Sequence, residues 1–408
     1  DSSFHDILIE NNELSNNHYG IYLYSINSSF NININKNLIV SNIKNDGIYI
    51  ENAHLVSITN NNISNITNQH GEAAGIYLNN VASSKITGNI IQNIIGSSSA
   101  YGIYYRINDT ISSGLIANNS IMHIAASQNV SGIYSYITNS NSWSPGAFKI
   151  LNNTINLNYD NINGLTDDGN VYGIFISQYS NNYNAFQILN NIFSVNLGEI
   201  EIGANNTSAI GLYVGDNTMI NESNYNLFEV NGCDYNYETS INGTGYSLDD
   251  WKSYTSLDQN SINTPANFIS NNDNRLNYNS PCIDAGKPNF NLQAFGITTD
   301  VYGNNRVEND TIDIGAYEFK KLLVTKNGPT NICPGQEAIF TVSPNMPAIF
   351  QWQSSSDGSN WSIMPGKTAD SIHVRPTVDT YYRCIVNAVG QETQNITFPQ
   401  LVINIPVS

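Results

Sequence analysis

The chain has 408 residues, 33 acidic against 15 basic side chains, a formal charge of −18, only 12% charged residues and 69 asparagines. A pI near 4.5 without clustered Lys and Arg excludes a nucleic-acid partner, because phosphate-backbone binding needs cations to displace counterions. No apolar run approaches the roughly 20 residues that cross a bilayer, and no basic-then-apolar leader opens at Asp1, so the expectation is a chain without a membrane span, processed or cut from a longer protein with further domains.

Charge divides the chain into three segments. Residues 1–230 carry 5 basic and 16 acidic side chains, residues 231–319 carry 4 and 12, and residues 320–408 carry 6 and 5. Asparagine follows the same division, with 62 of 69 before residue 320. The sequence therefore predicts an N-terminal segment 1–230, an extension or cap 231–319, and a separate domain 320–408 starting at Lys320-Lys321.

Within 1–230 two marks alternate. Gly-Ile-Tyr or a close variant starts at Gly20, Gly47, Gly75, Gly102, Gly132, Gly173 and Gly211, at spacings of 27, 28, 27, 30, 41 and 38. Between them Asn-x-(Ile/Leu/Phe) recurs at Asn12, Asn37, Asn61, Asn89, Asn119, Asn153 and Asn191. The local period is 2, as in Ile48-Tyr49-Ile50, which predicts short strands and not helices. Such strands bury their apolar face only by stacking coil on coil into parallel sheets, and a fixed Asn per coil tolerates a left-handed turn and bonds its equivalents above and below as a ladder. The pattern resembles the right-handed parallel β-helix repeat family. Surplus residues in the longer coils are expected to leave as loops near 139–146, 159–170 and 198–206.

The next segment carries Ser247-Leu248-Asp249-Asp250-Trp251, Asp258-Gln259-Asn260-Ser261, Ser280-Pro281-Cys282-Ile283-Asp284-Ala285-Gly286, Asp300-Val301-Tyr302-Gly303, Arg306 and Asp313-Ile314-Gly315-Ala316-Tyr317-Glu318-Phe319. These ordered motifs resemble the C-terminal region of the choice-of-anchor Q β-helix proteins of bacterial surfaces. Ser247 with Asp250 reads as an N-capping pair that starts a short helix carrying Trp251, placed to plug or flank the end of the stack. Asp284, Asp300, Asp313 and Glu318 read as structural carboxylates bonded to backbone.

In the last segment, Trp352 falls 19 residues after Cys333, and Tyr382 falls two before Cys384. That constellation belongs to an immunoglobulin-like sandwich, and the spacing resembles bacterial Ig-like modules of large surface adhesins. The resemblance implies a Cys333–Cys384 disulfide packed on Trp352 and an extracellular or bacterial cell-surface location. For Cys233 and Cys282 a bridge and two buried free thiols both stand. The fold expected is all-β: a parallel β-helix followed by an Ig-like β-sandwich.

Two classes of chemistry compete for the scaffold. Alternation places Tyr22, Tyr49, Tyr77, Tyr104, Tyr134, Phe175 and Tyr213 on one exterior face at the strand spacing. Such a column stabilises the sheet by neighbour contacts, or it binds a polysaccharide or cell-surface glycan as an adhesin does. Catalysis, as a polysaccharide lyase or glycoside hydrolase, needs a base with a charge neutraliser or paired carboxylates. Arg106 with His123 or Tyr104 are the candidates for the first. Asp167-Asp168 resembles the aspartates of polygalacturonase-like hydrolases, but the accompanying Gly-His-Gly and Arg-x-Lys are missing from the sequence. Asp160, Asp167 and Asp168 are oxygen ligands suited to calcium, although they do not match EF-hand spacing. Scarcity of basic residues, 5 in the first 230, favours binding over catalysis.

Overall fold

The computed structural model describes residues 5–107, 113–137, 144–158, 169–178, 184–197, 208–231, 235–307 and 311–403. The chain folds as two compact units, Asp1–Glu318 and Phe319–Ser408.

The first unit is a parallel β-helix. Each coil passes through three strands, and each strand pairs in parallel with its equivalents one coil away. The tyrosine sheet includes Ala73–Ala82, Ala100–Ile107, Val130–Ile137, Val171–Gln178 and Ser208–Val214. A second sheet includes Ser84–Thr87, Gly114–Ala117, Phe148–Leu151 and Phe186–Leu189, and a third runs from Glu13–Leu14 through Asn62–Asn68, Ser120–Ala126 and Leu227–Asn231 to Ile262–Asn263. In the early coils Ile21–Asn35 and Asp46–Thr59 pass through the corner between the first two sheets and join them.

Alternation decides what the interior holds. Ile48, Ile76, Ile103, Ile133, Ile174 and Leu212 are fully buried and align from coil to coil. The glycine before each is required for space and not for a turn. A Cβ on Gly102 would stand 2.5 Å from the Gly132 carbonyl oxygen and 2.5 Å from Ile121 of the third sheet, so only glycine lets the third sheet close on the first.

The expected asparagine ladder is present and longer than the marks suggest. Each Nδ2 from Asn12 through Asn37, Asn61, Asn89, Asn119, Asn153 and Asn191 to Asn226 donates to the next Oδ1 at 3.0–3.1 Å. The same Oδ1 atoms accept the backbone N–H of the preceding ladder residue at 2.9–3.1 Å. The left-handed conformation falls one residue earlier than anticipated, on Asn11, Lys36, Asn60, Gly88, Asn118, Asn152, Asn190 and Tyr225 with φ between 50° and 71°. The turn is thus made by one residue and the ladder by the next.

The ladder ends on a carboxylate. Asn226 Nδ2 donates to Asp258 Oδ1 at 3.0 Å, and Asp258 Oδ2 accepts from Trp251 Nε1 at 2.9 Å. Trp251 lies on the helix Leu248–Thr255, whose N-cap Ser247 accepts from the Asp250 N–H, as the sequence predicts. Leu248 and Trp251 are buried in the same core as the coils. The chain then returns along the outside of the stack as a strap. Leu292, Ile297 and Ile312 cover Ala117, Leu151 and Leu189, and left-handed turn residues hold it: Asn118 Nδ2 donates to Thr299 O at 3.1 Å, and Asn190 Oδ1 accepts from Lys287 N at 2.8 Å. Buried Arg306 donates to Asp313 O and Gly315 O and pairs with Glu318 at 3.1 Å. Asp300 accepts from the N–H groups of Tyr302 and Asn304 at 2.8 Å, and Asp313 accepts from Asp284 N at 2.7 Å. The Asp300, Asp313 and Glu318 carboxylates bind backbone, as their place in the motifs implies, while the Asp284 carboxylate accepts from the Thr311 hydroxyl.

The second unit is an Ig-like sandwich of antiparallel sheets. One holds Val324–Asn327, Ala338–Pro344 and Ser371–Val374, and the other Ile349–Ser355, Ser362–Ile363, Tyr381–Asn387 and Gln394–Thr397. Trp352 is fully buried, pairs with Cys384 across the strands and packs on Phe398 at 5.7 Å. The expected Cys333–Cys384 disulfide is not formed: both thiols are free. Cys333 is exposed in the turn before the strand Ala338–Pro344, where its carbonyl accepts from Gln336 N. The inward position on that strand belongs to Phe340, its ring centroid 5.0 Å from the tilted ring of Tyr382 and 4.9 Å from Phe398, which meets it edge-on. Aromatic packing therefore does the work assigned to the sulfurs. Cys282 is a buried free thiol, and Cys233 lies outside the described residues. So do the expected loops, apart from 144–146 and 169–170.

Two outcomes follow. Asn119→Ala leaves the Asn89 donors and the Ile86 carbonyl without their partner, so it should lower unfolding stability by roughly 2–5 kcal/mol in urea titration, whereas left-handed, half-buried Asn93→Gly should change it by less than about 0.5 kcal/mol. A maleimide reagent should label Cys333 in the native protein and Cys384 only after unfolding, because burial pushes the Cys384 thiol up to about 11.

Candidate functional site

The exterior residue of each Gly-Ile-Tyr mark forms a continuous column. Tyr22, Tyr49, Tyr77, Tyr104, Tyr134, Phe175 and Tyr213 occupy register positions on consecutive strands. Successive ring centroids are 4.2–5.1 Å apart with interplanar angles of 4–14°. The rings therefore lie face to face, and solvent meets their edges and hydroxyls. Tyr22 is 49% exposed and the following six are half-buried. Ser240 stands opposite Tyr213 in the next coil and ends the column.

A second set of rings, outside the two repeating marks, braces the first. Tyr101 lies edge-on to Tyr104 and Tyr134 at 5.1 and 5.3 Å, and Tyr172 does the same to Phe175 and Tyr213 at 5.0 and 5.6 Å. Tyr19 contacts Tyr22 and Tyr49. Their signal is an aromatic residue immediately before the glycine, as in Tyr101-Gly102-Ile103-Tyr104. Burial raises the phenol pKa along the column, to about 12 for Tyr134 and Tyr172, so these hydroxyls remain protonated. The Tyr49 hydroxyl donates to Glu51 at 2.5 Å.

The proposed catalytic trio is not assembled. Tyr104 and Arg106 share a face of the strand Ala100–Ile107, with the guanidinium 6.0 Å from the Tyr136 ring centroid. Burial raises the Tyr104 pKa, which opposes a role as a base. His123 belongs to the third sheet, where it takes a left-handed position (φ 53°) equivalent to Asn65 and Asn93. Its Nε2 stands 3.1 Å from the Asn271 carbonyl, an acceptor, so it donates there to the strap. Asp160, Asp167 and Asp168 lie outside the described residues. Among the described residues, no group of three or more His, Cys, Asp or Glu is placed to hold a metal ion.

Two depressions mark the early coils. A polar cleft of about 390 Å³ lies between the second sheet and the tip of the strap, lined by Ser57, Thr59, Lys85, Thr87 and residues 296–299. A groove of about 770 Å³ follows the corner between the third sheet and the tyrosine sheet and is lined by His18, Lys44 and His70 among asparagine side chains. Groove and column share a wall, since Asn45 of the groove donates to the Tyr19 hydroxyl at 2.8 Å.

Residues 324–403 match the family model described as Domain of unknown function (DUF8696), within the Ig-like unit. No curated protein and no solved structure matches the chain.

Beside the groove, Asp46 is buried, with Oδ1 accepting from Ala74 N at 2.8 Å. Burial, reinforced by Glu72, raises its carboxyl to about 7. The folded state then holds a proton that the unfolded state releases near pH 4, so stability falls as pH rises from about 4 to about 7 and levels off above. Asp46→Asn keeps the acceptor and removes the charge. Urea titrations at pH 4.5, 6 and 8 should show the wild-type decline absent in the variant, which at pH 8 should be more stable by up to roughly 4 kcal/mol.

Proposed function

We propose that this chain belongs to a protein displayed on a bacterial surface and that its β-helix binds an extended, weakly charged polysaccharide along the tyrosine column. The observation that carries this reading is the register of the seven rings. Their repeat follows the strand spacing of about 4.8 Å, close to the length of one sugar unit in an extended chain, so successive sugars meet equivalent side chains. Because the rings cover one another's faces, recognition falls to hydroxyl edges bonding sugar hydroxyls and not to stacking on open faces. The acidic surplus of residues 1–230, 16 against 5, repels dense polyanions. Surface display is supported by the motifs of 247–319, which resemble the choice-of-anchor Q proteins, and by the Ig-like unit, which resembles adhesin modules.

A polysaccharide lyase or glycoside hydrolase remains the alternative use of such a scaffold, since fold does not fix function. The separation of His123 from Tyr104 and Arg106 favours binding.

The double variant Tyr77→Phe/Tyr104→Phe keeps the stack and removes two hydroxyls. On a glycan array it should lose retention of the cognate neutral polysaccharide at least tenfold, with the thermal midpoint within a few degrees of wild type. Wild-type retention should persist at 1 M salt, where the Debye length is about 3 Å. Unchanged retention by the double variant would reduce the column to a stabiliser of the sheet.

A further inference from the structure

In a chain of net charge −18, the groove over the first coils gathers basic side chains. Residues 1–230 hold 5 Lys and Arg and 5 His, and His18, Lys44 and His70, from three successive coils, line this one depression. All three are exposed. The floor is fixed by the coil ladder, with Lys44 N donating to Asn17 O at 3.2 Å and Asn45 N to His18 O at 2.9 Å. Lys36 pairs with Glu10 and Lys287 with Glu222, but among the described residues Lys44 forms no ion pair. The nearest acids in sequence are engaged elsewhere. Asp46 faces the Ala74 N–H, and Glu72 Oε1 lies 3.4 Å from the Tyr101 hydroxyl. The walls are amide-rich, from Asn16, Asn42 and Gln69, and suit sugar hydroxyls, which offer both donors and acceptors.

We propose that this groove is a subsite for a carboxylate-bearing sugar, with Lys44 opposite the carboxylate, His18 and His70 beside it and the asparagine and glutamine amides on the hydroxyls. The site deepens the glycan reading and rests on it. One acidic sugar fits the groove, while the remainder of the same weakly charged chain runs along the column that begins at Tyr19 and Tyr22.

The test compares matched glycans on an array probed with the full chain, without calcium, at about 0.1 M salt: oligogalacturonate against its methyl ester, and sialyllactose against lactose. Wild type should retain at least one carboxylated member at least fivefold more than its neutral partner, and 1 M salt should abolish that ratio. Lys44→Gln, alone and combined with His18→Gln and His70→Gln, should bring the ratio to one, whereas Lys44→Arg should keep most of it. Circular dichroism shows whether each variant is folded, and the single variant serves if the triple one is not. Tyr77→Phe/Tyr104→Phe should leave the ratio intact while weakening neutral binding, so failure of the column and failure of the groove are read separately. The proposal is overturned if no carboxylated member is preferred or if the Lys44→Gln ratio equals wild type. Displacement of the sugars by poly-L-glutamate at equal carboxylate concentration would also overturn it, by assigning the groove to an acidic peptide.

Discussion

The amide of asparagine has one donating and one accepting end, and the first unit is organised around that asymmetry. From Asn37 on, each ladder Oδ1 takes two N–H groups from the coil before, and each Nδ2 gives one bond onward and one to a carbonyl of the second sheet, as Asn119 does to Ile86 O at 2.9 Å. A buried amide with every site filled has no neighbouring register to slip into, because a slip of one residue strands several polar groups at once. The steps between ladder residues range from 24 to 38 positions. The ladder therefore fixes where coils meet without fixing how long they are. Its direction also demands an end that only accepts, and Asp258 satisfies this by taking bonds from Asn226, Ser261 and Trp251. The terminal helix is thereby tied to the last rung.

Register set by the ladder propagates around each coil. Glycine marks allow the third sheet to reach the first, the following isoleucine fills the interior, and the next residue emerges at the same height in every coil. Aromatic residues repeated at the strand spacing have little choice but to stack face to face. The column is therefore part of the fold's stability before it is anything else, and what remains for a ligand is the edge: hydroxyls that burial keeps protonated. The ring holds the sheet, and the hydroxyl lies at the exposed edge, where that of Tyr49 bonds Glu51.

Much of this was legible because it repeats. The coil architecture, the ladder residues and the exterior column all follow from period 2 strands and two alternating marks. What the sequence concealed was relational. Asn226 precedes Leu227-Phe228 and fits the ladder mark, yet no Gly-Ile-Tyr follows it, so the last rung escaped the alternating count. His123 looks like a base by type, but only the coil register shows that it holds the place of Asn93, a left-handed corner. Cys333 and Cys384 have the spacing of a sandwich bridge. Phe340 takes the core position that bridge needs, a displacement by seven residues that spacing alone does not reveal. The groove joins His18, Lys44 and His70 across three coils, and no local motif contains them.

The strap explains why the accessible features gather at the N-terminal coils. The position just before each left-handed turn reads Glu10, Asn35, Thr59 and Thr87 in the early coils, Ala117, Leu151 and Leu189 in the later ones and Asn224 in the last. Residues at this position point outward, so the apolar set needs cover, and Leu292, Ile297 and Ile312 supply it. Where the column turns polar, between Thr87 and Ala117, the strap's covering contacts stop, and Gly296 to Thr299 form one wall of the cleft. Toward the N-terminal coils, the change from Ala117 to Thr87 at this exterior position thus marks where the returning segment stops covering the stack. On the second sheet, the later coils are thus covered by their own C-terminal extension, and the early ones keep the cleft.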